Sequence, residues 1–117
     1  MGIGTRLGEA VNQGDIYWYT FRAPDKRRPI LLLTRGSAIL FLTGITVAPL
    51  TTVIRDIPAE VVLTPEDDGV PEICVVNTDN IQTVPKENLG AFITRLSPAR
   101  MREVYEAIAF SLGFDSE

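Results

Sequence analysis

Apolar residues fall in short runs along most of the chain, broken by polar, Pro- or Gly-containing segments; only near the C-terminus do they recur at helical spacing. Residues 15–21 alternate and are rich in Ile, Tyr, Trp and Phe, which predicts a strand. Residues 23–26 (Ala-Pro-Asp-Lys) predict a turn, residues 29–34 a buried strand, and residues 35–37 a break. Residues 38–48 read as a strand pair or one bent strand, with Gly44 allowing a bulge. A loop is expected over 50–56, a strand over 59–63 with Glu60 facing water, and a polar turn over 64–71. A strand over 72–76, a polar interruption over 77–80 and a short strand over 81–84 follow. The pattern specifies one helix, over 97–112. Ser97 is its N-cap, Pro98 its first residue and Gly113 its C-cap, and Met101, Val104, Ile108 and Leu112 form a core-packing stripe. The first twelve residues are polar and Gly-rich, with a weak helical pattern at Leu7, Ala10 and Val11, and read as a short helix or an N-terminal arm.

Many short strands with one terminal helix predict a mostly β domain with helices, small and barrel-like, with a C-terminal α-helix. At 117 residues the chain is one domain, 1–117. No apolar stretch approaches the roughly 20 residues a bilayer demands, and no secretory pattern is visible, so no membrane contact is expected. The single cysteine, Cys74, excludes an internal disulfide and fits a cytoplasmic protein; flanked by Ile73, Val75 and Val76, it reads as an inert strand residue.

Charge narrows the chemistry. The net charge is −4, which by itself argues against nucleic acid. The cations are clustered, however: Lys26, Arg27 and Arg28 are consecutive, with Arg22 and Arg35 nearby, and the acids gather in 66–68 and 115–117. Such a local basic patch can bind RNA with strong salt dependence. Histidine is absent, which removes Ser/His and Cys/His nucleophiles and most metal sites, so no metal or cofactor is expected.

Arg28 precedes Pro29, which favours extended backbone, so its guanidinium is aimed from a strand start where it can clamp a phosphate; a surface arginine in a basic turn is the plainer alternative. Thr51 follows Pro49 at a strand end, where its hydroxyl can bond a phosphate or cap its own loop. Asp79, in Asn77-Thr78-Asp79-Asn80, fits a general base, an orienter of Arg28, or an Asx turn. Of the aromatics Tyr17, Trp18 and Tyr19, alternation must turn some inward, and Trp18 is expected in the core rather than stacking on bases. Arg55 either touches phosphates or pairs with Asp56.

The ordered series of Gly14-Asp15-Ile16-Tyr17-Trp18, then Arg28-Pro29 before an apolar strand, then Pro49-Leu50-Thr51-Thr52, resembles the MazF/PemK (Kid) family of toxin endoribonucleases from about Gly14 to the terminal helix. The resemblance implies an SH3-like barrel and a homodimer with single-stranded mRNA in its groove. It further implies a cognate antitoxin, growth arrest, and metal-independent cleavage to 2′,3′-cyclic phosphate and 5′-hydroxyl ends. It assigns catalysis to Arg28, Thr51 and Asp79, and makes Lys26, Arg27, Thr52, Arg55, Asn77 and Asn80 candidates for RNA binding. Two departures stand out: Asn77 replaces an arginine that some members carry, and the first loop lacks their histidine. A related branch, the CcdB-like toxins, poisons DNA gyrase by protein binding; that alternative would depend on residues 112–114 instead.

Overall fold

The structure, a computed structural model, describes residues 11–22 and 26–114, with the side chain of Lys26 outside the description. The expected turn at 23–26 and the arm before Val11 therefore fall mostly outside the described residues. Seven strands form a curled antiparallel half-barrel: β1 (Asp15–Phe21), β2 (Lys26–Leu32), β3 (Gly44–Thr51), β4 (Glu60–Leu63), β5 (Cys74–Asn77), β6 (Gln82–Pro85) and β7 (Phe92–Arg95). Their order is β4-β5-β3-β2-β1-β7, with β6 also on β3. Two short helices, α1 (Gly36–Ile39) and α2 (Pro65–Asp68), and the terminal α3 (Pro98–Ser111) complete the described fold.

Both faces of the central strands are covered. Ile16, Leu31, Ala48 and Leu50 pack with Val61, Leu63 and Val76, and Met101, Val104 and Ala107 of α3 close this layer. The alternate residues Tyr17, Tyr19, Ile30, Leu32 and Val47 point the other way and pack with Val11, Ile39, Ile45 and Val84. Double coverage explains why β2 reads as a continuous apolar run rather than an alternating one. Each fully buried Leu, Ile or Val contributes about 1.5–3 kcal/mol relative to exposure.

The strand β3 serves three neighbours. One edge pairs with β2 through Val47, Ala48 and Pro49. The other edge is divided, β6 taking Gly44 to Val47 and β5 taking Leu50 and Thr51. The 3₁₀ turn Thr78–Asn80 carries the chain from β5 to β6 across the gap. Hydrogen bonding fixes which way each proline faces. The Trp18 N–H donates to the Ala91 carbonyl, and the Trp18 carbonyl accepts from the Gly90 N–H, so Trp18 turns its backbone away from β2. Its partner Pro29 therefore turns towards β3, and Pro49, opposite Ile30, turns towards the gap. Neither proline can donate where it points. The β2–β3 ladder ends at Ile30–Pro49, and beyond it β3 leaves β2 for β5.

The helix begins as expected: the Ser97 hydroxyl accepts from the Arg100 N–H at 3.1 Å, Pro98 is in the first turn, and Gly113 takes φ +80°. Its buried residues are Met101, Val104 and Ala107, while Ile108 is partly buried and Leu112 is 56% exposed, because the helix ends before Leu112 reaches the sheet. Thr78 ties the helix to the 3₁₀ turn: its buried hydroxyl donates to the Ala59 carbonyl at 2.6 Å, and its carbonyl accepts from the Ser111 hydroxyl at 3.2 Å.

Several expectations are corrected. The break expected at 35–37 and the first residues of the strand expected from Ala38 form a short helix over Gly36–Ile39 instead; Ala38 and Ile39 are buried, and the strand starts only at Gly44. The polar turn at 64–71 contains α2, capped by the Thr64 hydroxyl accepting from the Asp67 N–H and stopped by Gly69 at φ +78°. Glu60 is half-buried; its Oε1 accepts from the N–H groups of Arg55 and Asp56, folding the loop after β3 back onto β4. The expected strand over 72–76 begins at Cys74, and that over 81–84 begins at Gln82. Strand β7 was not anticipated. It is held by pairing with β1 and by the Arg95 Nε–Asp15 Oδ1 bond of 2.6 Å.

Asp68 belongs to the acidic run of the sequence yet is 9% exposed. Arg100 of α3 grips both its oxygens at 3.0 and 3.1 Å, and the Thr64 N–H donates to Oδ2 at 3.0 Å. This carboxylate joins α2 to α3. Truncation strips Arg100 of its two bonds to Asp68, leaving it Glu103 alone, and leaves the Thr64 N–H without its acceptor, so Asp68→Ala should cost about 2–3 kcal/mol, read as a lower denaturation midpoint at unchanged slope.

Cys74 is 4% exposed. Burial first, and then the negative charges of Glu72 and Asp68, push its thiol up to about 11 from 9.0. The folded thiol holds its proton more tightly than the unfolded one. Its contribution to stability is therefore full below about pH 9 and is lost as pH rises to about 11. At pH 8 a thiol reagent should label the native protein far more slowly than the denatured protein; equal rates would contradict this burial.

Candidate active site at the split between β2 and β3

Where β3 leaves β2 a cavity of about 340 Å³ opens. The first wall comes from the β1–β2 hairpin: Trp18, Arg27, Arg28 and Pro29. The second comes from the end of β3 and its loop, Leu50 to Val53, and the segment entering β5 adds Pro71, Glu72 and Cys74. Because the sheet is split, residues from both of its faces reach the opening.

Arg28 and Thr51 come together through strand register. Ile30 stands opposite Pro49. One same-face step outward on each strand reaches Arg28 on β2 and Thr51 on β3. The same register that ends at the prolines thus places a guanidinium and a hydroxyl on facing strands at the mouth of the split. Thr51 is half-buried, and its Oγ1 accepts from the Val53 N–H at 3.2 Å. A threonine hydroxyl has one proton and two lone pairs. The loop bond uses a lone pair, so Thr51 caps its loop and still has its proton to donate. Thr52, exposed, lines the same cavity.

Arg27 takes the opposite face of β2 from Arg28 and lays its guanidinium 4.0 Å from the centroid of the Trp18 ring. This corrects the expected core position of Trp18. The buried aromatics of β1 are Tyr17 and Tyr19, and Trp18 is half-buried in the cavity wall. Strand alternation left the choice of face open, and only the sheet's two-sided packing decides it.

The remaining candidates are dispersed. Arg28 also borders an adjoining cavity of about 220 Å³ with Phe21, Pro49, Asn80 and Gln82. Asn77 uses its side-chain oxygen to accept from the Asp79 N–H at 3.1 Å, the Asx turn that was one reading of this segment. Asp79 is exposed in the 3₁₀ turn and is not in the wall shared by Arg28 and Thr51. Arg55 is exposed in the loop after β3, outside that wall. Lys26 pairs with Phe21 through the backbone. Glu72, which the sequence reading treated only as a strand start, is the carboxylate in the wall. Its neighbour Pro71 was the available signal, since a proline before a strand marks a loop where side chains can be exposed.

A cavity with two guanidiniums, a free hydroxyl proton and one carboxylate is suited to an anion that gains charge as it reacts. Among the described residues no helix is long and apolar enough to cross a membrane.

Residues 12–112 match the profile of the PemK-like, MazF-like toxins of type II toxin–antitoxin systems. Curated relatives from Mycobacterium tuberculosis include the probable endoribonuclease MazF2, 38% identical over 96 residues, covering 82% of this chain and 93% of the relative. The endoribonuclease MazF3 is 40% identical over 93 residues, 78% and 87% of the two chains. Among solved structures, the Mycobacterium tuberculosis toxin MazF-mt6 superposes with a TM-score of 0.76 at 34% identity, covering 85% of this chain and 96% of its own. A mycobacterial endoribonuclease in complex with its cognate antitoxin gives 0.79 at 29% identity, covering 92% and 100%. The matched region runs from just before β1 to the end of α3 and contains the split that brings Arg28 to Thr51, and the chain belongs to the PemK-like, MazF-like toxin family of type II toxin–antitoxin systems.

Proposed function

We propose that this protein is the toxin of a type II pair and an endoribonuclease that cuts single-stranded mRNA without a metal, arresting growth until a cognate antitoxin covers the site. The observation that carries the reading is the convergence of Arg28 and Thr51 in one cavity through the β2–β3 register. The names of the relatives and of the antitoxin complex support it. A homodimer in the cytoplasm belongs to the same reading. The comparisons do not favour a gyrase poison, since they match endoribonucleases along the length of the described fold.

The chemistry follows from the groups present. RNA carries its own nucleophile in the 2′-hydroxyl. Its oxygen attacks the adjacent phosphorus, the P–O5′ bond breaks, and the products are a 2′,3′-cyclic phosphate and a 5′-hydroxyl. The two non-bridging oxygens gain charge on the way. Arg28 presents paired N–H donors to them, and the Thr51 proton adds a third. The 2′-hydroxyl must lose a proton, and we assign its acceptor to Glu72, which shares the cavity, in preference to Asp79, which does not. The leaving 5′-oxygen takes up a proton from solvent. Arg27 and Thr52 hold the flanking backbone, and binding weakens steeply with salt.

Purified protein incubated with a long single-stranded RNA in EDTA should give discrete cuts bearing 5′-hydroxyl ends. Arg28→Ala should lower kcat/KM by about 100- to 1000-fold and Thr51→Ala by about 10- to 100-fold, with both still folded. Full cleavage by a folded Arg28→Ala protein rejects the assignment. Glu72→Gln should slow cleavage about 100-fold, whereas Asp79→Asn stays within a few-fold of wild type; the reverse ranking would return the acceptor role to Asp79.

A further inference from the structure

Beside Trp18 lies a second cavity of about 340 Å³, whose lining includes Trp18, Thr20, Arg27, Asn88, Gly90 and Ala91. Trp18 and Arg27 line this cavity and the catalytic one alike, so their stack is the partition between the two. We propose that this outer cavity is a base-recognition subsite: a nucleobase beside the scissile phosphate stacks on the Trp18–Arg27 partition, and the Asn88 carboxamide reads its edge. The inference rests on the nuclease reading above and specifies how that enzyme would choose its sequence.

Three observations carry it. The first is the partition itself. Arg27 is exposed and Trp18 half-buried, so the stacked planes face solvent rather than core. Bases of single-stranded RNA stack on aromatic rings and on guanidinium planes alike. Arg27 is on the other face of β2 from Arg28 yet lines its cavity as well as the outer one, so the partition borders the place where a phosphate would meet Arg28.

The second is the precision of the far wall. Segment 88–91 is bonded onto β1 at Trp18: the Gly90 N–H donates to the Trp18 carbonyl at 2.8 Å, and the Trp18 N–H donates to the Ala91 carbonyl at 2.9 Å. A Cβ on Gly90 would lie 2.9 Å from the Trp18 carbonyl oxygen, so glycine permits this approach. Asn88 closes the 3₁₀ turn Lys86–Asn88 just before this anchor and lines the same cavity as the ring.

The third is the chemistry of the wall. A carboxamide offers one acceptor and two donors side by side. That suits a base with adjacent donor and acceptor atoms, as adenine has in N6 and N7. A phosphate would need no carboxamide, and an apolar ligand would leave Asn88 and Thr20 without partners.

Trp18 is the sole tryptophan of the chain, so it reports directly on stacking. Cut sites of wild type, Asn88→Ala and Trp18→Phe would be mapped on a randomised single-stranded RNA pool. Fluorescence would be titrated with a single-stranded DNA of the best cut sequence, which lacks the 2′-hydroxyl nucleophile. The expected result is a fixed base preference at one position flanking the wild-type cut. Asn88→Ala should relax that preference and lose about tenfold in kcat/KM on the best sequence, with 5′-hydroxyl ends retained. The DNA should quench the Trp18 emission, and Trp18→Phe, which keeps a ring, should retain most of the preference. An Asn88→Ala cut profile identical to wild type, or Trp18 emission indifferent to bound DNA, overturns the subsite while leaving the nuclease standing. A folded wild type that cuts no RNA overturns the nuclease reading and this subsite together.

Discussion

Two prolines that cannot donate a hydrogen bond decide where this sheet comes apart. Pro29 faces β3 and Pro49 faces the gap between β5 and β6, as the bonding of Trp18 to the 90–91 segment and the β2–β3 register require. The β2–β3 ladder stops at this point, and β3 is free to take β5 as its next partner. A proline inside a central strand is otherwise a defect. Here the two lie where the ladders end, and the opening they leave is the cavity that holds Arg28 and Thr51.

Precision at that opening comes from the strands behind it. Leu31, Ala48 and Leu50 on one face, and Ile30, Leu32 and Val47 on the other, are at most 1% exposed. A one-residue slip of β2 against β3 would exchange these faces, and packing on both sides resists any such shift. Arg28 and Thr51 are the next same-face positions along these strands, so their alignment is inherited from the core. The floor of the cavity is correspondingly inert: Cys74 keeps its proton through neutral pH because it is buried beside Glu72 and Asp68. The Asp68–Arg100 pair holds α2 to α3, on the segment that leads into Pro71 and Glu72.

Local signals carried much of this. Ser97-Pro98 and Gly113 marked the helix because capping is local chemistry. The β1 strand and the burial of Cys74 followed from short runs of side chains. Where the reading failed, the deciding partner was distant in sequence. Residues 36–39 became helical with Ala38 and Ile39 buried, Ile39 against the second core layer. Asp68 belongs to an acidic run within an expected polar turn, and its burial is set by Arg100, thirty-two residues on. Strand β7 has little pattern of its own and is defined by β1 and by Asp15.

By itself the sequence determined the class of fold, the one long helix, the absence of histidine chemistry, and a guanidinium and a hydroxyl each at the end of an apolar strand. Those are properties of composition and of side chains within a few residues of one another. Only the tertiary structure decided that Arg28 and Thr51 share a cavity, that Glu72 rather than Asp79 stands with them, and that Trp18 is a wall rather than core. Each of these depends on register and on which face of a doubly covered sheet a residue takes. Periodicity states that faces alternate; which of them meets the cavity is fixed by strands that pair from far along the chain.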